Sequence, residues 1–372
     1  MTMVVKVPWH LNRIVVCKWS FSHYILVVLP FMPFAPQKIS VISGVCHLMR
    51  ISVVIAAYHG EKYIAEQLES LVAQERLPDE IWIGDDSDDD ATEAAVKEIL
   101  PKLSPQVEIH YQRNSPRRRI LGNFLNLAEQ ASGDLIFFSD QDDFWLPSKI
   151  RRLAGLMEEF PSMQVVGCNS TVVDEQLKPT GKYLYGHLPF GTVAEIVKHP
   201  DFAKIVWPRF AIYGHNICMR RSFLPVFQQV PLVSGVGHDI WLTQVAAMMG
   251  VMKFVDEPLT LYRVHGDNSS ELTLNTLNET LLHRMRQTFR SPMDLQNTMA
   301  NLEALHQFCQ RTPEVPEEAC KILEQSWEYF RLRLRLRRFW RPFRWLALTP
   351  RLLKGYSTIG NGWRACLRDQ VF

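Results

Sequence analysis

The sequence predicts an α/β protein: a doubly wound, mostly parallel sheet flanked by helices, with a helical, basic C-terminal extension. Three observations predict it. Apolar runs of strand length alternate with apolar residues at helical spacing from Ile51 to Met157, two of the strands close in acidic turns, and beyond Ser270 the pattern is helical, with Arg clustered from Arg331 on. Strands separated by helices of this length imply parallel pairing through right-handed crossovers. Ligands in such sheets bind beyond the carboxyl ends of the strands.

Residues 1–48 stand apart from this alternation. Lys6, Arg13 and Lys18 precede an apolar stretch, Tyr24 to Pro36, that imitates a signal peptide. Pro30, Pro33 and Pro36 interrupt it, it is shorter than the roughly 20 apolar residues of a membrane-spanning helix, and no A-x-A-like cleavage site follows. The expectation is an extension outside the main fold, either a start assigned too early or a weak anchor.

Ile51 to Ala57 is a β-branched run suited to a strand buried on both faces. Ile64, Leu68, Leu71 and Val72 then share one helix face. A strand follows from Glu80 to Gly84, a helix from about Ala91 to Leu100, a third strand from Val107 to Tyr111, and a helix from Gly122 to Ala131. The strand Leu135 to Phe138 contains no polar residue, and Pro147 suits the first turn of a helix that buries Ile150, Leu153, Ala154 and Met157.

Composition sets outer bounds. The 372 residues suffice for one large α/β domain with a helical appendage, and a net charge of +2 gives no reason to invoke a nucleic-acid partner for the whole molecule. The seven cysteines are scattered and include no C-x-x-C pair, which reads as reduced thiols in a cytosolic compartment.

The chemistry concentrates in two turns, Asp85-Asp86-Ser87-Asp88-Asp89-Asp90 and Ser139-Asp140-Gln141-Asp142-Asp143. Carboxylates this dense repel one another, and a divalent cation is the economical compensation. Asp140 and Asp142, one residue apart after an apolar strand, suit a metal with positions left open for phosphate oxygens. A solvated loop capping the next helix is the competing reading. No G-x-G-x-x-G follows the first strand and no G-x-x-x-x-G-K-[ST] occurs, which argues against a dinucleotide-binding Rossmann unit and a P-loop nucleotidase.

ISVVIAAYHGEKYIAEQLESLVAQ, IWIGDDSDDDAT, LGNFLNLAEQASGDLIFFSDQDDFWLPSKI, GHDIWL and YRVHGDNSS together resemble the family 2 glycosyltransferases of GT-A fold. FSDQDDFWLPSKI and GHDIWL resemble the rhamnosyltransferase-like members that build bacterial surface polysaccharide. The likeness covers about Arg50 to Ser270. It implies a GT-A domain over 49–270, which leaves 271–372 as a helical C-terminal region.

The resemblance also implies roles. Asp86 would contact the nucleotide base, with Ala57 and Tyr58 along base and ribose. Asn123 would approach the diphosphate. Asp140 and Asp142 would form the D-x-D pair, Asp142 on the Mg2+ or Mn2+ ion and Asp140 nearer the ribose, and His265 would reach the diphosphate or metal from the far side. Asp239 would be the general base, inverting the anomeric centre by direct displacement. Two departures from the family pattern matter: Asp88 leaves the choice between Asp85 and Asp86 open, and Asn169 stands where relatives carry an Asp.

Several of these residues have plainer readings. Asp239 suits a helix N-cap, Asn123 suits a cap as well, His238 beside Trp241 suits a packed aromatic neighbour, and Trp241 and Trp145 suit either a sugar platform or the core. Arg117-Arg118-Arg119 reads as a solvated loop or a screen for donor phosphates.

In the C-terminal third, Leu295, Met299, Leu302 and His306 share a helix face, and Pro313 and Pro316 separate it from a second helix. The alternation Arg331-Leu332-Arg333-Leu334-Arg335-Leu336-Arg337 suits a strand while its surroundings suit a helix. With no acid from Arg331 to Lys354, the region predicts contact with anionic lipid at the inner face of the cell membrane, and no nucleic-acid partner. The expected activity is transfer of a sugar, L-rhamnose by the resemblance, from a dTDP-linked donor to a saccharide or lipid-linked acceptor. The alternatives are a metal-dependent nucleotidyltransferase and a non-catalytic nucleotide-sugar-binding scaffold.

Overall fold

The computed structural model describes residues 3–4, 13–20, 23–29, 48–185, 212–231, 236–266, 295–338, 348–358 and 366. They fall into two units, Met1–Met49 and Arg50–Phe372. In the first, β1 (Met3–Val4), β2 (Arg13–Ser20) and β3 (His23–Leu29) form an antiparallel sheet in that order. The apolar stretch beginning at Tyr24 thus starts as a strand, and its second half, Pro30 to Pro36, lies outside the described residues.

The second unit opens with β4 (Ile51–Ala57), α1 (Ile64–Val72), β5 (Glu80–Asp85), α2 (Ala91–Ile99), β6 (Glu108–Arg113), α3 (Arg119–Gln130) and β7 (Leu135–Asp140). It continues with β8 (Phe144–Trp145), α4 (Lys149–Glu159), β9 (Val165–Val173) and β10 (Pro179–Tyr183). After the next described residues come β11 (Ile217–Arg220), α5 (Leu224–Phe227), α6 (His238–Met248) and β12 (Met252–Arg263). The helices α7 (Leu295–Arg311), α8 (Glu317–Arg338) and α9 (Pro350–Thr358) close the unit.

This is a GT-A-like α/β fold around one mixed sheet. The order is β6-β5-β4-β7-β11-β9-β12-β8, with β10 on β9. The four strands β6, β5, β4 and β7 are parallel, as their alternation with helices requires, because each crossover returns the chain to the same edge. Beyond β7 the expected parallel pattern gives way: β11 runs antiparallel to both β7 and β9, while β9 and β12 are parallel. β11 starts at the edge where its parallel neighbours end, which is what brings the segment before it to the ligand side. Pro147 lies in a turn before α4 and not in the helix itself, since Lys149 N–H already donates to the Leu146 carbonyl.

Val172, Tyr262 and Val264 form a small core, and a large one runs from Val54 to Leu352. α7 and α8 share it: Phe308 meets Trp241 of α6 edge-on at 5.6 Å, and Asn301 Nδ2 donates to Gln244 Oε1 at 2.9 Å. The Arg-Leu alternation is helical in α8 through Arg338. At about 100° per residue, Arg331, Arg335 and Arg338 then face one way and Arg333 and Arg337 the other. Arg333 is buried, 5.4 Å from the rings of Tyr329 and Phe330, so the run does not present all its charge on one surface. Residues 339–347, the rest of that run, lie outside the described residues. Among the described residues no helix is long and apolar enough to cross a membrane.

Candidate active site

The carboxyl ends of β4, β5 and β7, the turn before β11 and the first turn of α6 enclose a cavity of about 350 Å³. Ala57, Tyr58, Asp86, Asn123, Asp140, Asp142, His238 and Asp239 all line it, and with Ala56 and Tyr262 residues up to 206 positions apart in the sequence meet there. Ile120, Gln141, Tyr213 and Tyr262 complete much of the wall.

Asp85 and Asp86 separate cleanly. Asp85 is fully buried: its carboxylate accepts from Tyr111 Oη at 2.6 Å and from Ser87 N and Oγ at 2.9 and 2.6 Å. Burial and this carboxylate hold the Tyr111 phenol far above its ordinary range. Asp86 lines the cavity, with Oδ1 accepting from Asn114 Nδ2 at 2.9 Å and Arg118 N at 3.0 Å. Asn123 is buried at the cavity wall, where Nδ2 donates to the Gly84 carbonyl at 2.6 Å and Oδ1 accepts from Asn114 Nδ2 at 3.0 Å. It therefore clamps α3 to β5, a structural duty beside any contact with a ligand.

Gln141 ties the two halves of the wall together. It accepts from Tyr58 N at 2.8 Å and donates to the Tyr58 carbonyl at 2.9 Å, joining the end of β7 to the end of β4. The exposed Tyr58 ring carries the Arg117 guanidinium at 4.0 Å, so at least one arginine of the basic triplet folds over the cavity rim.

The turn after β7 holds two distinct groupings. Asp142 Oδ2 meets His265 Nε2 at 2.9 Å, bringing together two of the three residues expected at a metal. Asp140, the third, instead joins Asp143 and His215: His215 Nδ1 lies 3.2 Å from Asp140 and 3.3 Å from Asp143. The ligand atoms of these three fall within 4.8 Å of one another. Asp143 and His215 are fully enclosed, and of the three Asp140 alone lines the cavity. Burial pushes the Asp143 carboxyl up, and Asp142 and Asp140 push it further. Burial also works against the Asp140 charge, but the hydrogen bond and charge of His215, with His238 and Lys149, together outweigh it and hold Asp140 below the usual range. For His215, burial disfavours the imidazolium and the two carboxylates reverse that, leaving it raised.

Lys149 completes this grouping from below. Its buried Nζ donates to the His215 carbonyl at 2.5 Å and to Thr260 Oγ1 at 2.7 Å, 3.6 Å above the Trp145 ring. Burial lowers it to about 8. Arg263 fixes the other side, donating from Nε to the Asp142 carbonyl at 2.9 Å and bonding Glu66.

Asp239 occupies the first turn of α6 with Gly237 as its N-cap, so it is not the capping residue the plainer reading expected. Its Oδ1 accepts from Ile240 N at 2.8 Å, and its carboxylate faces the cavity. His238 packs 4.2 Å from Phe124 and 5.6 Å from Phe138, and burial lowers it. Among the described residues its Nε2 has no hydrogen-bond partner.

Trp241 does not reach the cavity. It is 1% exposed, Nε1 donates to the Val226 carbonyl at 3.1 Å, and its ring belongs to the core under α7, because position 241 falls on the helix face opposite the ligand side. Trp145 is likewise a core aromatic. Asn169 bonds Asp256 at 2.6 Å and ties β9 to β12.

Residues 52–224 match the family model described as Glycosyl transferase family 2. Over this segment the chain is similar to the family 2 glycosyltransferases. Relatives agree: an uncharacterized glycosyltransferase of Nostoc sp. is 26% identical over 231 residues, 59% of this chain and 66% of that protein. The uncharacterized glycosyltransferase YwdF of Bacillus subtilis is 30% identical over 195 residues, 52% of this chain and 65% of its own length. The chain thus spans just under two thirds of these relatives. Poly(ribitol-phosphate) beta-N-acetylglucosaminyltransferase TarS of Staphylococcus aureus is 30% identical over 119 residues, 31% of this chain and 20% of TarS. Among solved structures, a mannosyltransferase from Pyrobaculum calidifontis in complex with GDP-Man and Mn2+ aligns at TM-score 0.48 and 16% identity over 87% of this chain and 79% of that one.

The match at 52–224 ends before Asp239 and Tyr262, which the fold nonetheless carries to the same cavity, and before His265, which bonds Asp142 at its edge. Sequence reading missed Gln141, His215, Lys149 and Arg263. Gln141 sits inside the quoted acidic motif and offered a signal. His215 lies 75 residues from Asp140, in the short turn before a four-residue strand, with no periodic pattern to place it.

Proposed function

We propose that this protein is an inverting glycosyltransferase that moves a sugar from a nucleoside-diphosphate donor to a saccharide or lipid-linked acceptor in bacterial surface-polysaccharide synthesis, with dTDP-L-rhamnose as the donor. The observation that carries this reading is one cavity lined by Asp86, by Asp140 and Asp142, and by Asp239. Asp86 and Tyr58 bind the nucleoside. Asp239 accepts the proton of the acceptor hydroxyl, whose oxygen attacks the anomeric carbon as the bond to the diphosphate oxygen breaks on the opposite face, inverting the centre. A bound Mg2+ or Mn2+ ion supplies the positive charge that a diphosphate leaving group needs. Asp142 and His265 would hold it, with Asp140 beside them: two carboxylates and an imidazole suit either ion, and this pair, unlike Asp143 and His215, opens to the cavity through Asp142. Contact with the inner face of the membrane rests on the basic C-terminal region, of which Arg335 and Arg338 are exposed in α8.

Calorimetry with UDP, GDP, dTDP and their sugar conjugates, with and without Mn2+, tests the reading on wild type and Asp142→Ala. Metal-dependent binding of one nucleotide, lost in the variant, is expected. A folded protein that binds none of them would refute it.

A further inference from the structure

The wall of the cavity beyond Asp140 is aromatic, and no role assigned so far uses it. Tyr213 stands just before the short turn Gly214–Asn216 that leads into β11. Its backbone N–H donates to Tyr185 Oη at 2.6 Å, which fixes its position. Its ring lies nearly parallel to that of His215, at 14° with centroids 6.0 Å apart, and to that of Tyr262, at 26° and 6.2 Å. His215 and Tyr262 are themselves stacked at 5.2 Å. Tyr213 is half-buried at the cavity wall, while Tyr262 behind it is 5% exposed.

Strand order fixes what meets this wall. Asp86 follows β5, Asp140 ends β7, and Tyr213 precedes β11, the next strand after β7. Neighbouring strands lie about 4.8 Å apart, so β5 to β7 spans roughly 10 Å, and Tyr213 is one strand further. A nucleoside diphosphate sugar laid with its nucleoside at Asp86 and its diphosphate at Asp140 places the transferred sugar at Tyr213. Asp239, the proposed general base, lines the same cavity, and its carboxylate adds to burial in raising the Tyr213 phenol.

A pyranose presents apolar C–H faces and hydroxyls at its edge. An aromatic face beside carboxylates suits both. We propose that Tyr213, held by Tyr185 and backed by His215 and Tyr262, is the platform on which the transferred sugar of the donor packs, and so helps decide which sugars are accepted. This rests on the nucleotide-sugar reading given above.

The test compares, for each of UDP-GlcNAc, GDP-mannose and dTDP-L-rhamnose, the affinity of the sugar nucleotide with that of its bare diphosphate, in the presence of Mn2+. The nucleotide that binds tightest to wild type is carried forward to Tyr213→Ala and Tyr213→Phe. The expected result is a wild-type preference for the sugar nucleotide that shrinks by about 3- to 10-fold in Tyr213→Ala and survives in Tyr213→Phe. Affinity for the bare diphosphate stays unchanged in both variants, which also shows that they are folded. An unchanged preference in Tyr213→Ala, or a wild type that binds sugar nucleotide and diphosphate equally, overturns the platform and leaves the nucleotide site standing. Wild type that binds no nucleotide removes both.

Discussion

Gly214 has no room for a side chain, and this makes it a probe of how Asp239 is held. A Cβ built there would lie 2.1 Å from His238 Nε2, 2.9 Å from Cε1 and 3.2 Å from Cδ2. Carbon contacts settle at about 3.5–4.0 Å, so the ring in Gly214→Ala must retreat by more than about 1 Å. Phe124 at 4.2 Å and Phe138 at 5.6 Å block that retreat. The strain passes to the start of α6, where Asp239 is the next residue. Overpacking of this kind costs about 1–3 kcal/mol, and each kcal/mol lowers Tm by roughly 2–4 °C in a domain of this size. A shift of about 1 Å in a positioned group costs on the order of 100-fold in rate. Gly214→Ala should therefore lose about 2–12 °C in Tm and on the order of 100-fold in release of diphosphate from the best sugar nucleotide, with affinity for the bare diphosphate retained. Gly266→Ala, whose Cβ would meet nothing within 4 Å, should match wild type in both assays. A Gly214→Ala protein with wild-type Tm and turnover would show that His238 and Asp239 are not wedged as described.

Three further outcomes follow from the same geometry. Asp85→Asn, which disturbs the buried bonds to Tyr111 and Ser87, should cost about 1–3 kcal/mol in urea unfolding and leave nucleotide affinity intact, whereas Asp86→Ala should do the reverse. The Glu80 carboxyl, which burial would raise, is held at about 2 by Ser52, Ser132 and Arg50. The stability it gives is full above its unfolded value of 4.5 and is lost as pH falls toward 2; discounted for screening by solvent, it is about 2 kcal/mol, and Glu80→Gln should flatten the acid limb of a stability–pH curve by that amount. Trp241→Leu should lower stability by about 2–4 kcal/mol in thermal unfolding, through the lost Val226 bond and Phe308 contact, with no change in affinity for any sugar nucleotide.

The parallel half of the sheet was legible because its residues obey two simple periods. Ile51 to Ala57 and Leu135 to Phe138 are apolar on both faces, and Ile64, Leu68 and Leu71 recur on one helix face; each lies buried where those patterns put it. The second half was less legible, since β11 is four residues long and runs against its neighbours, and so short a strand has no period to read. Local motif explained why Asp86, Asp140, Asp142 and Asp239 share a cavity, but not what surrounds them. Lys149 reads in sequence as an ordinary residue at a helix start, yet it is a buried cation beneath His215, a contact across 66 positions. Trp241 shows the opposite limit: an aromatic beside a carboxylate suits a sugar, and only the packing of α7 reveals its place in the core.

The helix α6 has a consequence for where this protein can be cut. Most of its length, from Trp241 to Met248, is buried, with strands β9 and β12 on one side and α7 on another. A helix apolar all round is stable only while enclosed. The segment that matches the glycosyltransferase family stops at residue 224, before this helix begins. A protein trimmed to the matched residues would keep the acidic turns yet lose Asp239 and uncover the sheet beneath, a sticky apolar face open to aggregation. The smallest piece that keeps this helix enclosed is thus longer than the piece that shows the kinship, and it reaches at least through α7.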